Sequence, residues 1–176
     1  HVNHSPENIK IGTLLCINGT GISHNWQRSN FFSSISYKEI EQLANTAPIG
    51  SEGLVNIPFG NGAERMLGNN IVGASMHNID FNRHDKSHIA RAGLEGIAFA
   101  FVYGMEAMKE LGIDVSKIRA GNDNLFQSSI FADTLASTGN VEIEIFETTG
   151  AIGAAKGAAY GAGLYNNIEE AVCNIE

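Results

Sequence analysis

The strongest pattern of apolar and polar positions runs from about Asp85 to Leu111, where Ala90, Leu94, Ile97, Phe101, Met105 and Met108 recur at alternating spacings of three and four. That period predicts one long amphipathic helix ended by Gly112, with both methionines in the core. A different period governs "VEIEIF", Val141 to Phe146, where valine and isoleucine alternate with glutamate. It predicts a half-exposed strand, with Glu142 and Glu144 as the wet face of a sheet edge rather than an acid/base pair.

The remaining elements follow from weaker signals. "IKIGTLLC", Ile9 to Cys16, is a β-prone apolar run; Asn18, Gly19 and Gly21 then make a turn before a helix carrying Ile22 and Trp26. Ser36 with Glu39 three residues later is a capping box, opening a helix that runs to about Ala47 before Pro48. From Ile49 to Asn82 the chain is rich in Gly and Asn, with short β-like pieces at "LVNIPF" and "IVGASMHNI", and reads as an irregular excursion. Ser116 to Ala120 predicts a strand, followed by a polar glycine turn and a helix with Phe126, Ile130 and Leu135 on one face. Strands alternating with helices make the chain α/β. At 176 residues it reads as a single domain over 1–176.

Charge narrows the partners. Eleven Lys and Arg stand against nineteen acids, a formal charge of −8, and the basic residues are scattered singly. Nucleic acid and anionic membrane both need clustered cations, so neither is an expected partner. Cys16 and Cys173 match no metal spacing and no stapled scaffold, which fits a reducing, cytoplasmic setting. No signal peptide and no apolar run long enough to span a bilayer is read. The opening "HVNHSPEN", without an initiator Met, suggests a fragment or processed product.

The chemistry centres on glycine. "GAIGAAKGAAYGAGLY", Gly150 to Tyr165, lacks the spacing of a P-loop, since Lys156 precedes Gly157 and Ala158 stands where a metal-binding hydroxyl would be wanted. It lacks the dinucleotide fingerprint as well. It does set Gly153, Gly157 and Gly161, with Ala154, Ala158 and Ala162, at spacing four, which offers a flat helix face for a neighbour to lie against; phosphate contact at the helix start, Thr148 to Ala151, is the other reading. Two further turns, "NGTGISHNW" and "AGNDN", each put Gly and Asn between a strand and a helix, where an α/β sheet receives a nucleotide. Each is also simply a set of turn formers.

"EGLVNIPFGNGAERML", "HIARAGLEGIAFAFVYGMEAMKELGI", "IRAGNDNLFQSSIFADTLA" and "GAIGAAKGAAYGAGLY" occur in this order. In that order they resemble the C-terminal domain of FGGY-family carbohydrate kinases, and most of all the xylulose-phosphorylating branch. The resemblance implies an α/β fold of the ribonuclease H-like, actin-like ATPase type, incomplete at its N-terminal end, with ATP, Mg²⁺ and a sugar handled between this domain and the N-terminal domain of the same parent protein. It implies that Gly21 and Asn25 line the nucleotide site and that Gly121 and Asn124 meet adenosine and phosphate. Arg119 and Ala120 stand where family members carry more glycine. The aspartate that serves the family as general base lies in a segment before the part matched, so no catalytic residue is assigned, and the fragment alone is expected to be inactive.

Other candidates have simpler readings beside functional ones. His84 and His88, four apart, could share a metal with Asp80 or Asp85, or belong to a solvated helix start. Glu95 could be a catalytic carboxylate or the partner of Arg91 one turn earlier. Arg65, in a loop similar to the family's "GER", reads as a loop organiser or interdomain contact. Besides the kinase, the sequence leaves two readings: an actin-like nucleotide switch without sugar chemistry, and an interaction domain whose Gly/Ala helix packs on a partner. The sugar and the oligomeric state are left open.

Overall fold

The computed structural model describes residues 12–172. Twelve elements follow in chain order: α1 Thr20–Phe31, α2 Tyr37–Ala44, β1 Val55–Ile57, β2 Ala63–Glu64, β3 Asn70–Ile71, β4 Ser75–His77, α3 Lys86–Glu110, β5 Lys117–Gly121, α4 Ser129–Gly139, β6 Glu142–Phe146, α5 Gly150–Gly161 and α6 Ile168–Val172. Among the described residues none of the helices is long and apolar enough to cross a membrane.

Helix α3 is the axis of the molecule, and its local chemistry explains where it begins and ends. Asp85 caps it, accepting from the Ser87 and His88 amides while the His88 ring closes a capping box. Hydrogen bonds from the Ser87 hydroxyl and the His88 ring hold the Asp85 carboxyl far below the usual carboxylate range. At the far end Gly112 takes the left-handed conformation, φ 79°, that stops the helix.

Ala90, Leu94 and Ile97 on α3 are buried with Ile40 and Ala44 of α2 and Ile130, Phe131 and Leu135 of α4. Phe131 is the centre of this core, meeting Phe101 and Phe126 edge-on at ring-centroid distances of 5.4 and 5.3 Å. Glycines let neighbours lie directly on α3: a Cβ at Gly93 would fall 2.1 Å from the Gln27 side chain, and one at Gly96 would fall 2.1 Å from the Asn56 carbonyl oxygen.

The same helix carries an ion pair. Glu95 and Arg91 are both buried, and the Arg91 Nε donates to Glu95 Oε1 at 2.7 Å. Glu95 also accepts from the Gly50 N–H and the Ser51 hydroxyl, so it ties the loop after α2 to α3. Of the two readings of Glu95, the local ion pair is the one found.

The strands pair in twos. β1 and β4 are antiparallel, as are β2 and β3, while β5 and β6 run parallel with Lys117 opposite Glu142 and Gly121 opposite Phe146. This register sets Lys117 against Glu142 and Glu144, and Arg119 against Glu144. The glutamates thus carry a cross-strand charge ladder, in which Arg119 first and Lys117 second hold the Glu144 carboxyl low.

One expectation is overturned and two are refined. The apolar run at Ile9–Cys16 is no strand where it is described: Gly12–Cys16 is irregular, and Ile9–Ile11, like His1, His4 and Cys173, lies outside the described residues. A strand exists by pairing, and among the described residues none pairs with this segment. Helix α1 forms, yet Ile22 and Trp26 are half-exposed on its outer face, and the residue it buries is Gln27. Finally, α5 is a helix with no buried residue, and a Cβ at Gly153, Gly157 or Gly161 would meet nothing within 4 Å. The small-residue face therefore has no packing partner among the described residues.

Candidate nucleotide cleft

Three elements converge on a cleft of about 660 Å³. Helix α1 contributes Gly21 and His24; α2 contributes Tyr37, Lys38 and Glu41; the turn after β5 contributes Asp123, Asn124, Leu125, Gln127 and Ser128. The capping box at Ser36, with Glu39 bonded back to the Ser36 amide at 2.7 Å, fixes where α2 starts and hence where Tyr37 and Glu41 project, one helical turn apart.

The aromatic wall is built across helices. The His24 and Tyr37 rings lie 4.8 Å apart, the Arg28 guanidinium sits 5.0 Å from the Tyr37 ring centre, and the Tyr37 hydroxyl donates to Asn25 Oδ1 at 3.0 Å. Burial pushes the His24 imidazole pKa down, with the Glu41 carboxylate pulling the other way.

Glu41 forms the floor. Its carboxylate accepts from the Ser128 hydroxyl at 2.6 Å, the Ser129 hydroxyl at 3.0 Å and the Ile130 N–H at 2.9 Å. It thereby occupies the start of α4, where the helix dipole favours negative charge. An anion is already in place there, supplied by the protein. With Glu41 and Asp123 against Lys38 among its described lining residues, the cleft has little to offer phosphate and much to offer hydroxyl and amine donors.

Of the residues expected from the sequence, Gly21 and Asn124 meet in this cleft. Asn124 adopts φ 52°, a left-handed conformation that asparagine tolerates, where the chain enters the 3₁₀ turn Asn124–Gln127. Asn25 lies beside the cleft, engaged with Tyr37. Gly121 ends β5 and is not among the residues lining the cleft; a Cβ there would fall 2.3 Å from the Thr148 carbonyl oxygen, so only glycine lets this strand end touch the loop after β6. The chain continues as Asn122, whose N–H donates to the Phe146 carbonyl at 2.8 Å and whose side chain donates to Glu147.

Sequence reading missed Tyr37, Lys38, Glu41, Gln127 and Ser128. The capping box carried a signal for the first three, because it fixes the face of α2. Lys156, half-buried on α5, lies outside the cleft residues. His84 and His88 serve the turn before α3, where His84 Nδ1 accepts from the Asp80 N–H at 3.0 Å. Among the described residues no three His, Cys, Asp or Glu side chains converge to hold a metal. Arg65 is exposed in a 3₁₀ turn, Arg65–Leu67.

Residues 17–162 match the C-terminal domain of the FGGY family of carbohydrate kinases. The chain belongs to that family. It is 32% identical over 157 residues to a xylulose kinase of Staphylococcus epidermidis, an alignment covering 86% of this chain and 31% of the relative. A ligand-bound xylulose kinase structure from Lactobacillus acidophilus superimposes with TM-score 0.73 at 25% identity, covering 91% of this chain and 33% of that one. A gluconate kinase structure from the same organism gives TM-score 0.72 at 25% identity with the same coverage. The chain thus spans about one third of the length of the relatives it matches. The fold it shares with them is the actin-like ATPase type that the sequence led us to expect.

Proposed function

We propose that residues 1–176 are most of the C-terminal, nucleotide-binding domain of a two-domain, ATP-dependent carbohydrate kinase whose acceptor is a ketopentose, D-xylulose foremost. The observation that carries this reading is the cleft itself, where the Gly21 face of α1 meets the Asn124 turn at the carboxyl end of β5, in a chain of the FGGY family. The similar Staphylococcus epidermidis relative is a xylulose kinase, which supports the acceptor.

A cleft of this volume fits a nucleoside. The Tyr37 and His24 rings offer an apolar wall, Asn124 and Gln127 carry donor and acceptor groups that can read a base edge, and Asp123 can accept from ribose hydroxyls. Because Glu41 plugs the start of α4, the adenosine end is assigned to this cleft and the phosphates to its rim, where Lys38 and the backbone of the glycine turns can face them. The chain offers no cage of its own for Mg²⁺ among the described residues, so the ion is assigned to the phosphates it neutralises.

In the reaction the γ-phosphorus forms a bond to a sugar hydroxyl oxygen, its bond to the ADP oxygen breaks, and the hydroxyl proton passes to a base. None of the acids in the cleft is nominated for that base. The contribution of this domain is to hold and orient the nucleotide while the N-terminal domain supplies the rest.

Calorimetric titration of the complete natural polypeptide with ADP and ATP tests the assignment. Both nucleotides are expected to bind, and Asn124→Ala and Tyr37→Ala are expected to weaken both equally, since they face the shared adenosine. Equal binding of wild type and both variants, or no binding at all, contradicts it.

A further inference from the structure

We infer that Glu64 is a positioning residue for nucleotide use: from the loop beside α1 it fixes the turn that delivers Gly21 and His24 to the cleft. The inference rests on the nucleotide reading above. Glu64 is 1% exposed, yet the only hydrogen bond to its carboxylate among the described residues is that from the Asn18 N–H to Oε2 at 2.9 Å. Its second oxygen, Oε1, is buried and finds no donor there.

A buried carboxylate with neither a cation nor a full set of donors is costly, and fold stability alone would favour an apolar or amide side chain at that position. What Glu64 does hold is the start of α1. Gly19 caps that helix with no side-chain hydrogen bond, and the Glu64 Oε2 accepts from the Asn18 N–H just ahead of it.

The neighbouring contacts all draw the same turn onto the same loop. The Asn18 side chain donates to the Ala63 carbonyl at 2.6 Å, and Asn61 donates to the Asn18 carbonyl at 3.0 Å. A Cβ at Gly19 would fall 2.1 Å from the Pro58 carbonyl oxygen, so the two backbones are in direct contact. Asn18 and Gly19 lead directly into α1, whose first two turns carry Gly21 and His24, so the placing of Asn18 sets where those two residues stand. Glu64 is not among the residues lining the cleft and acts through this turn.

The test is steady-state kinetics of the complete natural polypeptide, with KM for MgATP and for the sugar read separately in wild type, Glu64→Ala and Glu64→Gln. Glu64→Ala is expected to raise the nucleotide KM about tenfold or more, the worth of one hydrogen bond to a charged group, and to leave the sugar KM within about twofold. Glu64→Gln, which keeps an oxygen for the Asn18 N–H, is expected to recover most of the loss. An unchanged nucleotide KM in folded Glu64→Ala, a parallel rise of both KM values, or a Gln variant as impaired as Ala would each overturn the role.

If Glu64→Ala does not fold, Gly19→Ala presses on the same turn from the Pro58 side and must show the same split; an unmoved nucleotide KM there overturns the inference as well. Wild type that neither binds nor uses ATP brings down the nucleotide reading and this inference together, whereas an active wild type with unmoved variants removes only Glu64.

Discussion

Removing the Glu95 carboxylate is predicted to be among the most damaging single changes in this chain, and to act through stability rather than chemistry. Glu95 is 3% exposed and Arg91 8% exposed. In Glu95→Ala the guanidinium keeps, among the described residues, only the Ala47 carbonyl at 3.2 Å, while the Gly50 N–H and the Ser51 hydroxyl lose their acceptor. Ser51 already sits at φ 47°, a conformation serine adopts only under constraint. Breaking a buried pair from one side costs about 3–5 kcal/mol. For a chain of this size that is a fall of roughly 6–20 °C in the unfolding midpoint. Replacing both members, Arg91→Met with Glu95→Leu, is expected to recover most of the loss, leaving about 1–3 kcal/mol for the unsatisfied loop groups. Urea unfolding of the 176-residue chain followed by circular dichroism measures this, with an unchanged slope on urea indicating that the same surface is exposed. The reasoning fails if Glu95→Ala lies within about 1 kcal/mol of wild type. It also fails if Glu95→Gln is as stable as wild type but abolishes turnover in the complete polypeptide, which would make Glu95 a catalytic carboxylate.

Further outcomes follow from the same geometry. Gly121→Ala and Gly121→Asp should both weaken ATP binding in a titration, because either adds a Cβ 2.3 Å from the Thr148 carbonyl oxygen, while Lys156→Ala should change it little; the reverse order would restore a phosphate-loop reading of the Gly/Ala stretch. Since burial lowers the His24 pKa in the folded state, the unfolded chain binds more protons as pH falls below the model-compound value of 6.5, and stability should drop there. His24→Phe should flatten that acid limb in midpoints measured from pH 8 to 5, and an unchanged pH dependence would remove His24 as its source. The 176-residue chain alone should release no ADP in the presence of D-xylulose, and measurable turnover by it would contradict the two-domain account.

Legibility in the sequence followed the range of the interactions. Helix α3 was readable because its core face repeats within the helix itself, and the Arg91–Glu95 pair because its partners are one turn apart. The cap at Ser36 was readable for the same reason. The Glu41 cap on α4 joins residues 89 apart, and the Asn18–Glu64 bond joins residues 46 apart, so neither leaves a local signature. Glu142 and Glu144 read as a wet face since their basic partners Lys117 and Arg119 arrive only through the parallel register of β5 and β6. Gly121 drew attention in the sequence as a nucleotide contact, and the structure gives it a packing reason for being glycine that sequence could not supply: the Thr148 carbonyl pressed against it. The strand expected at Ile9–Cys16 failed where it is described because apolar, β-prone residues specify a strand only when a neighbour supplies the other half of the ladder.

The most direct test of the central claim is ADP release by the complete natural polypeptide with MgATP and a panel of sugars, polyols and gluconate, D-xylulose first. Release stimulated by D-xylulose well above the sugar-free rate is the predicted result. ATP binding with no stimulation by any acceptor would contradict it, and would leave the chain a nucleotide-binding domain without sugar chemistry.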